Sequence, residues 1–544
     1  MKRIFLTVAL AIATISVSAQ NTDDLLKKAN TAYQSKAYSE SAELYKLAIE
    51  KGVDNAGEYY NAACSFALSG DKAAAFRFLE GALKKGWTNA AHLQRDTDLA
   101  SLHADPKWPA LVENAKQKEA SAKRLWDSPE LNTPYKPELS QTEKVAGVSK
   151  LWSEVKYNFV NFDLVPALKW DSLYIAALNE VSRTKTTADY YRGLMRTIAQ
   201  LKDGHTNVYP PDQLSAEFYA QPAFKTRLVE DRVVVLQVYD EALKARGITQ
   251  GTEVISLNNV PVKDYAGTNI RPYQSASTPH DLDVRTYEYG LLRGALKDSL
   301  MIGFLDSKGK RFSVPVKRVD FDAIRKMIPA NPAFRLTWLK GNIAHVELNT
   351  FGNDEAAVQY IKHFPEISKA DAIIFDVRNN GGGNGSVGFK VLSTLTDKPF
   401  LTSSWFTRDY RPAHRAWGNA EGRTGGSNNS YPADGKMLYT RPVVVLTSPR
   451  TYSAAEDFAI AFDVMDRGKL IGETTGGSTG QPLMFNLPGG GIARVCTKRD
   501  TYPDGKEFVG IGILPDVPVK PTIADMRKGN DTVLEAAVKL LTSR

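Results

Sequence analysis

Residues 441–462 read RPVVVLTSPRTYSAAEDFAIAF, and this stretch decides the fold that the sequence predicts. Val443 to Leu446 form an unbroken, mostly β-branched run, which indicates a strand buried on both faces. Turn-forming residues follow at 447–451, and an apolar helix begins after Ser453. A strand, a sharp turn and a helix with a serine at its mouth can expose a nucleophile and direct backbone N–H groups at its target.

The same residues allow a second interpretation. Ser453 and Glu456 match the Ser-x-x-Glu pattern of a capping box, in which the serine caps the helix and the glutamate reaches back to it. Taken alone, the stretch favours the cap, because short motifs often match by chance. The choice between cap and nucleophile therefore depends on the rest of the chain.

The composition predicts an exported protein of several globular domains. The chain has 544 residues, of which 43% are hydrophobic and 24% charged. Residues 1–19 place Lys2 and Arg3 before an apolar run that ends in small residues, the pattern of a cleavable signal peptide. We therefore expect a periplasmic or secreted protein. No later apolar run is long enough to cross a membrane, so no membrane span is expected.

Charge and cysteine usage narrow the partners further. The net charge of +8 is spread among interspersed acids, so nucleic acid is not an expected partner. Cys64 and Cys496 lie in regions that read as different domains, and we expect buried free thiols rather than a disulfide.

A repeat marks the N-terminal region. The segment Ala48-Ile-Glu-Lys-Gly52 recurs as Ala82-Leu-Lys-Lys-Gly86, 34 residues later, within helical patterning. This resembles tetratricopeptide repeats, which stack pairs of helices and commonly dock a peptide or an adaptor protein. A packing module without a ligand is an equally open interpretation.

The region 222–320 reads as β-rich. Residues 233–238 and 253–258 are strand-like, with a short helix between them. The pattern resembles a PDZ-type domain, in which a peptide adds as an extra strand. The section from Pro272 to Leu292 departs from that pattern.

Two further features carry chemistry. A buried strand at 372–377 leads into Gly381, Gly382 and Gly383, and consecutive glycines can turn their N–H groups towards one point, as in an anion-binding nest. His205 follows a predicted helix, 188–201, for which Gly204 is a natural left-handed C-cap. A histidine in that position can also simply complement the helix dipole.

Several chemistries are excluded by missing motifs. No Walker-type lysine follows the glycines, and no His-Glu-x-x-His or cysteine cluster is present, so we expect no metal and no cofactor. Gly476 to Gly480 match Gly-x-Ser-x-Gly, but no helix follows them directly. Ser478 is therefore rejected as the nucleophile.

A serine at the mouth of a helix, a glycine nest and an upstream histidine could together make an acyl-transfer site, as nucleophile, oxyanion hole and general base. Five segments occur in an order similar to that of the C-terminal-processing serine peptidases, and more closely to their tricorn-core-like branch. These segments are residues 201–206, 374–383, 451–456, 472–478 and 512–516.

The resemblance implies a role for each matching residue. Ser453 would be the nucleophile, His205 the general base, and the N–H groups of Gly382 and Ala454 the oxyanion hole. The lysine base of the C-terminal-processing branch falls at Ser478, so a serine–lysine dyad is not available. The glutamate that completes the tricorn-like site aligns with Val509, and Glu507, on the same strand face, is carried as its substitute.

The resemblance also implies the fold and the activity. We expect an α/β crotonase- or ClpP-like catalytic core with a PDZ-like β-rich domain and an N-terminal α-helical repeat domain. The expected function is an exported serine endopeptidase acting on polypeptides, near their C-termini. A catalytically inactive binding protein of the same fold, carrying an apolar ligand or a peptide, is the alternative.

The predicted boundaries are 1–19 for the signal peptide, 20–118 for the repeats, 119–145 for a linker, 146–221 for a helical subdomain, 222–320 for the PDZ-like domain, 321–525 for the core and 526–544 for a C-terminal helix.

Overall fold

The computed structural model describes Thr22, residues 24–427 and residues 429–543. The chain divides into two compact units, Met1–Glu130 and Leu131–Arg544. The predicted signal peptide lies outside the described residues. Within the described part of the chain, no helix combines the length and the apolar character that a membrane crossing requires.

The first unit is helical, as the sequence predicts. Its helices begin at side-chain caps such as Asn55, whose oxygen accepts the N–H groups of Gly57 and Glu58. Buried alanines, including Ala63 and Ala75, let neighbouring helices approach closely. The assignment to tetratricopeptide repeats stays a prediction. The helices comprise residues 24–34, Tyr38–Glu50, Ala56–Ser69, Lys72–Lys84, Ala90–Arg95 and Trp108–Trp126, with a 3-10 helix at Thr97–Leu102.

The predicted linker is shorter in the structure. The Trp108–Trp126 helix continues through the first part of the predicted span 119–145, and the next long helix begins at Gln141. Ser140 and Glu143 form a capping box at that start. The irregular segment is therefore confined to residues 127–140, with a single 3-10 turn at Pro129–Leu131.

Three helices open the second unit. They are Gln141–Asn158, Trp170–Val181 and Thr187–Ala199, and they pack against a sheet of three antiparallel strands. The predicted C-cap at Gly204 is wrong: the helix ends at Ala199, and Lys202, with φ of 49°, is the left-handed residue that follows. The sheet contains Asn207–Tyr209, Gly491–Cys496 and Pro482–Leu487, in that order.

The β-rich region forms an antiparallel sheet with its own apolar core. A helix at Val262–Asn269 follows the central strands, and the segment that departs from the PDZ-like pattern folds as a short helix, Pro279–Asp283, and a π-helical turn, Val284–Gly290. The PDZ-like assignment stays a prediction. The strand order is Phe224–Val229, Arg232–Val238, Glu253–Leu257, Ser299–Leu305 and Arg311–Lys317, with Val260–Pro261 paired to Glu253–Leu257.

The catalytic-core region is a six-stranded sheet covered on both faces. Val443 and Val445 face a core shared with the helices Glu355–Ile367, Gly385–Leu392 and Ala454–Val464. Val444 and Leu446 face the other core, which includes the C-terminal helix Thr532–Thr542. Burial of both faces explains why this strand reads as an unbroken apolar run. The order is Val517–Pro518, Gly468–Gly472, Val443–Thr447, Ala372–Asp376, Ile343–Leu348 and Phe334–Leu339.

The direction of these strands positions the site. Every neighbouring pair in the sheet is parallel except that of the edge strand Phe334–Leu339, which is antiparallel to Ile343–Leu348. The segments that follow three adjacent strands therefore leave the sheet at one edge: 377–384, 448–453 and 473–481. Ligand and catalytic groups of α/β proteins collect at this edge.

Smaller differences from the prediction concern the rest of the core. Residues 400–438 include the strands Ser404–Asp409 and Gly422–Gly426, which pair with each other. The predicted helix 526–544 is interrupted at Gly529, whose φ is 76°, so Ile523–Lys528 and Thr532–Thr542 are separate helices.

Cys64 and Cys496 are both free and buried, which confirms the prediction of two free thiols. The mixed α/β architecture with a helical N-terminal region is also confirmed. The remaining elements are short: helices at Ser215–Phe218, Glu241–Ala245, Phe321–Met327 and Pro412–Ala416, 3-10 helices at Phe162–Leu164, Asp212–Leu214, Arg271–Tyr273 and Ser393–Leu395, and strands at Phe400–Leu401, Ser430–Tyr431 and Lys498–Thr501.

Candidate active site

Ser453 occupies a strained turn between the Val443–Thr447 strand and the Ala454–Val464 helix. Its φ of 56° and ψ of −127° lie outside the regions that non-glycine residues favour. An ordinary N-cap residue has extended backbone angles. Holding a serine in such a conformation costs about 1–3 kcal/mol and is typical of functional turns. Glu456 accepts the Ser453 N–H, as the predicted capping box requires, but the backbone of Ser453 resembles that of an exposed nucleophile more than that of an ordinary cap.

The structure brings His205 to this serine from 248 residues upstream. The Nε2 atom of its imidazole lies 3.1 Å from the Ser453 hydroxyl oxygen, within hydrogen-bond reach. The Nδ1 atom lies 2.8 Å from the hydroxyl oxygen of Ser478. The imidazole thus bridges two serine hydroxyls, one at each ring nitrogen.

The environment of His205 favours the neutral imidazole. Burial, together with the nearby cations Arg494, Arg285 and Lys498, lowers the pKa of His205 to about 3. Its backbone N–H donates to Asp203 Oδ1 at 3.0 Å, which fixes the loop that carries the ring. At neutral pH the ring is uncharged, so Nε2 can accept a proton from Ser453.

Tyr452 covers one face of the imidazole. The two rings are stacked, with centroids 5.1 Å apart and an interplanar angle of 15°. An Arg285 guanidinium nitrogen donates to the Tyr452 hydroxyl at 3.0 Å. A side chain at Gly204 would collide with this hydroxyl, since an added Cβ would lie 1.6 Å from it. Glycine before the histidine is thus the residue that leaves room for Tyr452.

Glu456 is the buried anchor of the site. Its Oε2 accepts the N–H groups of Ser453 at 3.2 Å and Ser478 at 2.9 Å. Its Oε1 accepts the N–H of Gly477 at 2.7 Å and the Thr475 hydroxyl at 2.6 Å. Burial nevertheless raises the pKa of Glu456 to about 7. This carboxylate therefore joins the nucleophile turn to the loop that carries Ser478.

The glycine nest adjoins the nucleophile. A Cβ on Gly382 would lie 2.6 Å from Ser453 Cβ and 2.9 Å from the Ala454 nitrogen, and the φ of Gly382 is 94°. Its own N–H donates to the Asn380 side-chain oxygen at 2.9 Å. Ala454, by contrast, is the first residue of its helix, where an N–H has no partner within the helix. Both predicted oxyanion donors therefore lie beside Ser453, but the Gly382 N–H is already engaged.

In the structure, Glu507 pairs with Arg499 and not with His205, contrary to the sequence-based prediction. An Arg499 guanidinium nitrogen donates to its Oε1 at 3.3 Å, and Arg499 also pairs with Asp163. His205 instead has Ser478 at Nδ1. The expectation that Glu507 orients His205 is thus corrected, because its carboxylate is paired elsewhere. Val509 is buried in the apolar core.

Metal-binding geometry occurs away from these residues. Within the described part of the chain, the group whose ligand atoms could hold an ion is Cys64, Asp96 and Asp98, in the first unit. The two carboxylates accept hydrogen bonds from the hydroxyls of Tyr60 and Tyr33.

Residues 342–519 match the family described as "Peptidase family S41". We refer to this matched segment as the S41 domain. It contains Ser453, Glu456, Ser478 and the glycine nest, whereas His205 is contributed by a segment before it. The catalytic geometry thus extends beyond the S41 domain itself.

Curated relatives share part of this chain. A "Carboxyl-terminal-processing protease" of Picosynechococcus sp. is 30% identical over 249 residues, which are 43% of this chain and 56% of that protein. A "C-terminal processing peptidase, chloroplastic" of Tetradesmus obliquus is 31% identical over 188 residues, 34% of this chain and 36% of that protein. The chain spans about half the length, or less, of these relatives.

A solved structure shares the fold. Mature CPAF complexed with lactacystin superposes with a TM-score of 0.59 at 14% identity, over 74% of this chain and 99% of that chain. At this identity the likeness supports a common fold for the S41 domain and its flanking segments.

Sequence reasoning missed the segment that holds the site from outside the S41 domain. The Ser277 hydroxyl accepts the Gly204 N–H at 2.9 Å, and the Thr278 hydroxyl donates to the Gly476 carbonyl at 3.0 Å. His280 Nε2 lies 2.6 Å from the Thr475 carbonyl oxygen. The departure of Pro272–Leu292 from the PDZ-like pattern was the available signal. Ser478 was missed as well, although the family's lysine base falls at its position.

Proposed function

We propose that this protein is a serine endopeptidase that hydrolyses polypeptides near their C-termini through Ser453 and His205. The observation that carries the proposal is the 3.1 Å contact between Ser453 Oγ and His205 Nε2 at a strained turn. The S41 domain supports the reaction class. The names of the relatives, carboxyl-terminal-processing protease and C-terminal processing peptidase, support action near a carboxyl terminus.

The proposed mechanism begins with the tautomer of His205. For Nε2 to accept a proton, Nδ1 must carry one, and its N–H then donates to the Ser478 hydroxyl. Ser453 Oγ loses its proton to Nε2 and attacks the carbonyl carbon of the peptide bond. The imidazolium then gives that proton to the leaving amine. A water activated by the same nitrogen hydrolyses the acyl-enzyme and restores Ser453.

The oxyanion of the tetrahedral intermediate needs backbone donors. The Ala454 N–H is at the start of the helix, where the dipole also favours negative charge. The Gly382 N–H adjoins the same point once it is released from Asn380. In this proposal the glycine nest and the helix start together stabilise the charge.

The helical unit and the N-terminal residues complete the proposal. Residues 1–19 would direct export to the periplasm or the exterior, as their composition predicts. The first unit would dock a peptide or an adaptor, consistent with its paired helices. The substrates would be polypeptides.

A fluorophosphonate probe tests the function directly, because it labels only an activated serine. We expect the full chain to be labelled at Ser453, with the adduct located by mass spectrometry of peptides. Ser453→Ala and His205→Ala should both abolish labelling. Ser478→Ala should still be labelled, more slowly, since Ser478 supports the base rather than reacting. Folded wild-type protein that takes no label would support the non-catalytic binding protein instead.

A further inference from the structure

A cavity of about 480 Å³ lies in the second unit, beside the loop that carries His205. Its walls come from the Thr187–Ala199 helix, the Asn207–Tyr209 strand and the β-rich region from Tyr265 to Arg318. This volume is in the range of ligand-binding pockets. The lining is strongly aromatic, since Phe218 and several tyrosines contribute to it.

Arg293 lies in the wall of this cavity without an anion. Its Nε atom is buried and has no hydrogen-bond partner, and its guanidinium carbon lies 5.6 Å from the centre of the Tyr219 ring. Among the residues that the structure describes, no carboxylate lies within ion-pair distance of it. Burial lowers the pKa of Arg293 from its usual range, although Tyr219 and Tyr289 act in the opposite direction.

The other arginines of the cavity are already satisfied. Arg192 pairs with Glu217 at 2.6 Å, and Arg285 pairs with Asp281 at 2.8 Å. Arg318 donates to the carbonyl oxygens of Leu292 and Arg293 and also lies in the field of Asp298, an exposed acid of the lining. An uncompensated guanidinium in an aromatic cavity is costly unless a ligand supplies the negative charge.

The cavity is connected to the catalytic groups. Arg285, which lines it, donates to the Tyr452 hydroxyl at 3.0 Å and to the Gly204 carbonyl at 3.4 Å. Tyr452 precedes the nucleophile and Gly204 precedes the base. Through Arg285, the cavity therefore adjoins the residues that precede Ser453 and His205.

We propose that the cavity binds a carboxylate of the polypeptide substrate, with Arg293 as its receptor. This inference rests on the proposed peptidase function. A guanidinium presents a planar fork that matches a carboxylate, and the tyrosine walls suit an apolar residue next to it. The carboxylate belongs either to the chain's C-terminus or to an aspartate or glutamate side chain.

Calorimetric titration of the full-length Ser453→Ala variant tests this, since it binds substrate without cleaving it. Three acetylated octapeptides of the same uncharged sequence would be compared: a C-terminal carboxylate, a carboxamide, and a carboxamide with one glutamate added. We expect at least one carboxylate-bearing peptide to bind about tenfold more tightly than the neutral carboxamide. Preference for the first identifies the C-terminus, and preference for the third identifies an acidic side chain.

Variants of Arg293 decide whether this residue is the receptor. In the Ser453→Ala background, Arg293→Gln should remove the preference, and Arg293→Lys, which keeps the charge but not the fork, should retain part of it. Arg311→Gln, at an exposed arginine of the Arg311–Lys317 strand, should leave it intact. Equal binding of all three peptides, or an unchanged preference in both Arg293 variants, would overturn the proposal.

The outcome is separate from that of the proposed function. Binding to the Ser453→Ala variant needs no hydrolysis, so a failure of fluorophosphonate labelling would leave the carboxylate preference measurable. Conversely, labelled wild-type protein with no carboxylate preference would refute the inference and leave the peptidase proposal standing.

Discussion

The Nδ1 atom of His205 lies 2.8 Å from the hydroxyl oxygen of Ser478. This contact stands where a serine–histidine–aspartate triad has a carboxylate. A hydroxyl can fix the tautomer and the orientation of the ring, but it carries no charge to stabilise an imidazolium. Ser478 can therefore orient the His205 ring, but it stabilises the protonated ring less than the carboxylate of a triad would.

Ser478→Ala should slow the reaction without abolishing it. Loss of one hydrogen bond to the neutral ring, worth about 1–1.5 kcal/mol, corresponds to roughly a tenfold lower rate. The rate constant of fluorophosphonate labelling measures this. Ser386→Ala, at an exposed serine of the same domain, is the matched control. A Ser478→Ala rate within twofold of wild type would show that Ser478 does not support His205.

The acid limb of the pH–rate profile should lie well below pH 6.5. Burial and neighbouring cations lower the pKa of His205 to about 3, so the ring stays neutral and active where an ordinary histidine is protonated. Arg285→Gln removes one of those cations, so the pKa of His205 should rise and the acid limb should move to higher pH. The profile of labelling rates from about pH 2.5 to pH 9 tests the shift, because it includes the acid limb expected for wild type.

The conservative variant separates charge from structure. Arg285→Lys keeps the cation and should leave the acid limb near its wild-type position. Arg311→Gln removes an exposed cation of the same region and should not move it. An acid limb that stays in place in Arg285→Gln would show that this guanidinium does not influence the base.

Gly382→Ala should abolish fluorophosphonate labelling, whereas Gly381→Ala should be tolerated. The added methyl at position 382 would lie 2.6 Å from Ser453 Cβ and 2.7 Å from the Tyr452 carbonyl oxygen, at a φ of 94°. The same methyl at position 381 meets nothing within 4 Å. Labelling rates, with thermal melting as a check of folding, compare the two. Similar rates for both variants would contradict the close packing at Gly382.

Glu456→Gln should change how stability depends on pH. Burial raises the pKa of Glu456 to about 7 in the folded state, above the unfolded value near 4.5. The folded protein therefore binds more protons between these values, so its stability falls as pH rises through that window. The variant lacks this titration. The melting temperature of Glu456→Gln minus that of wild type should therefore be larger at pH 8 than at pH 5.

Parallel melting curves of wild type and Glu456→Gln at the two pH values provide the measurement. Asp457→Asn is a useful comparison, because burial and Asp500 also raise the pKa of Asp457 to about 7. A constant difference between Glu456→Gln and wild type would show that Glu456 does not titrate in this range.

The core strands and the nucleophile turn were predictable because their signals are local. The run Val443 to Leu446 is apolar at every position since both sheet faces are buried, and the strand is observed at Val443–Thr447. Glycines 382 and 383 signalled positive φ, which the structure has.

The orienting groups could not be predicted because they depend on contacts distant in sequence. The expected strand with Glu507 and Val509 on one face does not form: Val509 lies in a turn, and the Glu507 carboxylate is held by Arg499. Ser478 reaches His205 only because Glu456 accepts the N–H groups of its loop. His280 looked unremarkable in sequence, although it lies 2.6 Å from the Thr475 carbonyl oxygen. Such pairings depend on tertiary packing, which residue patterns do not encode.

The wide separation of His205 and Ser453 along the chain has a consequence for biosynthesis. The imidazole is synthesised first, and the hydroxyl emerges from the ribosome 248 residues later. Ser478, the other contact of the ring, comes later still. Because domains generally fold as their residues emerge, an unfinished chain has no Ser453–His205 pair, and translation itself delays the onset of reactivity until the sheet is complete.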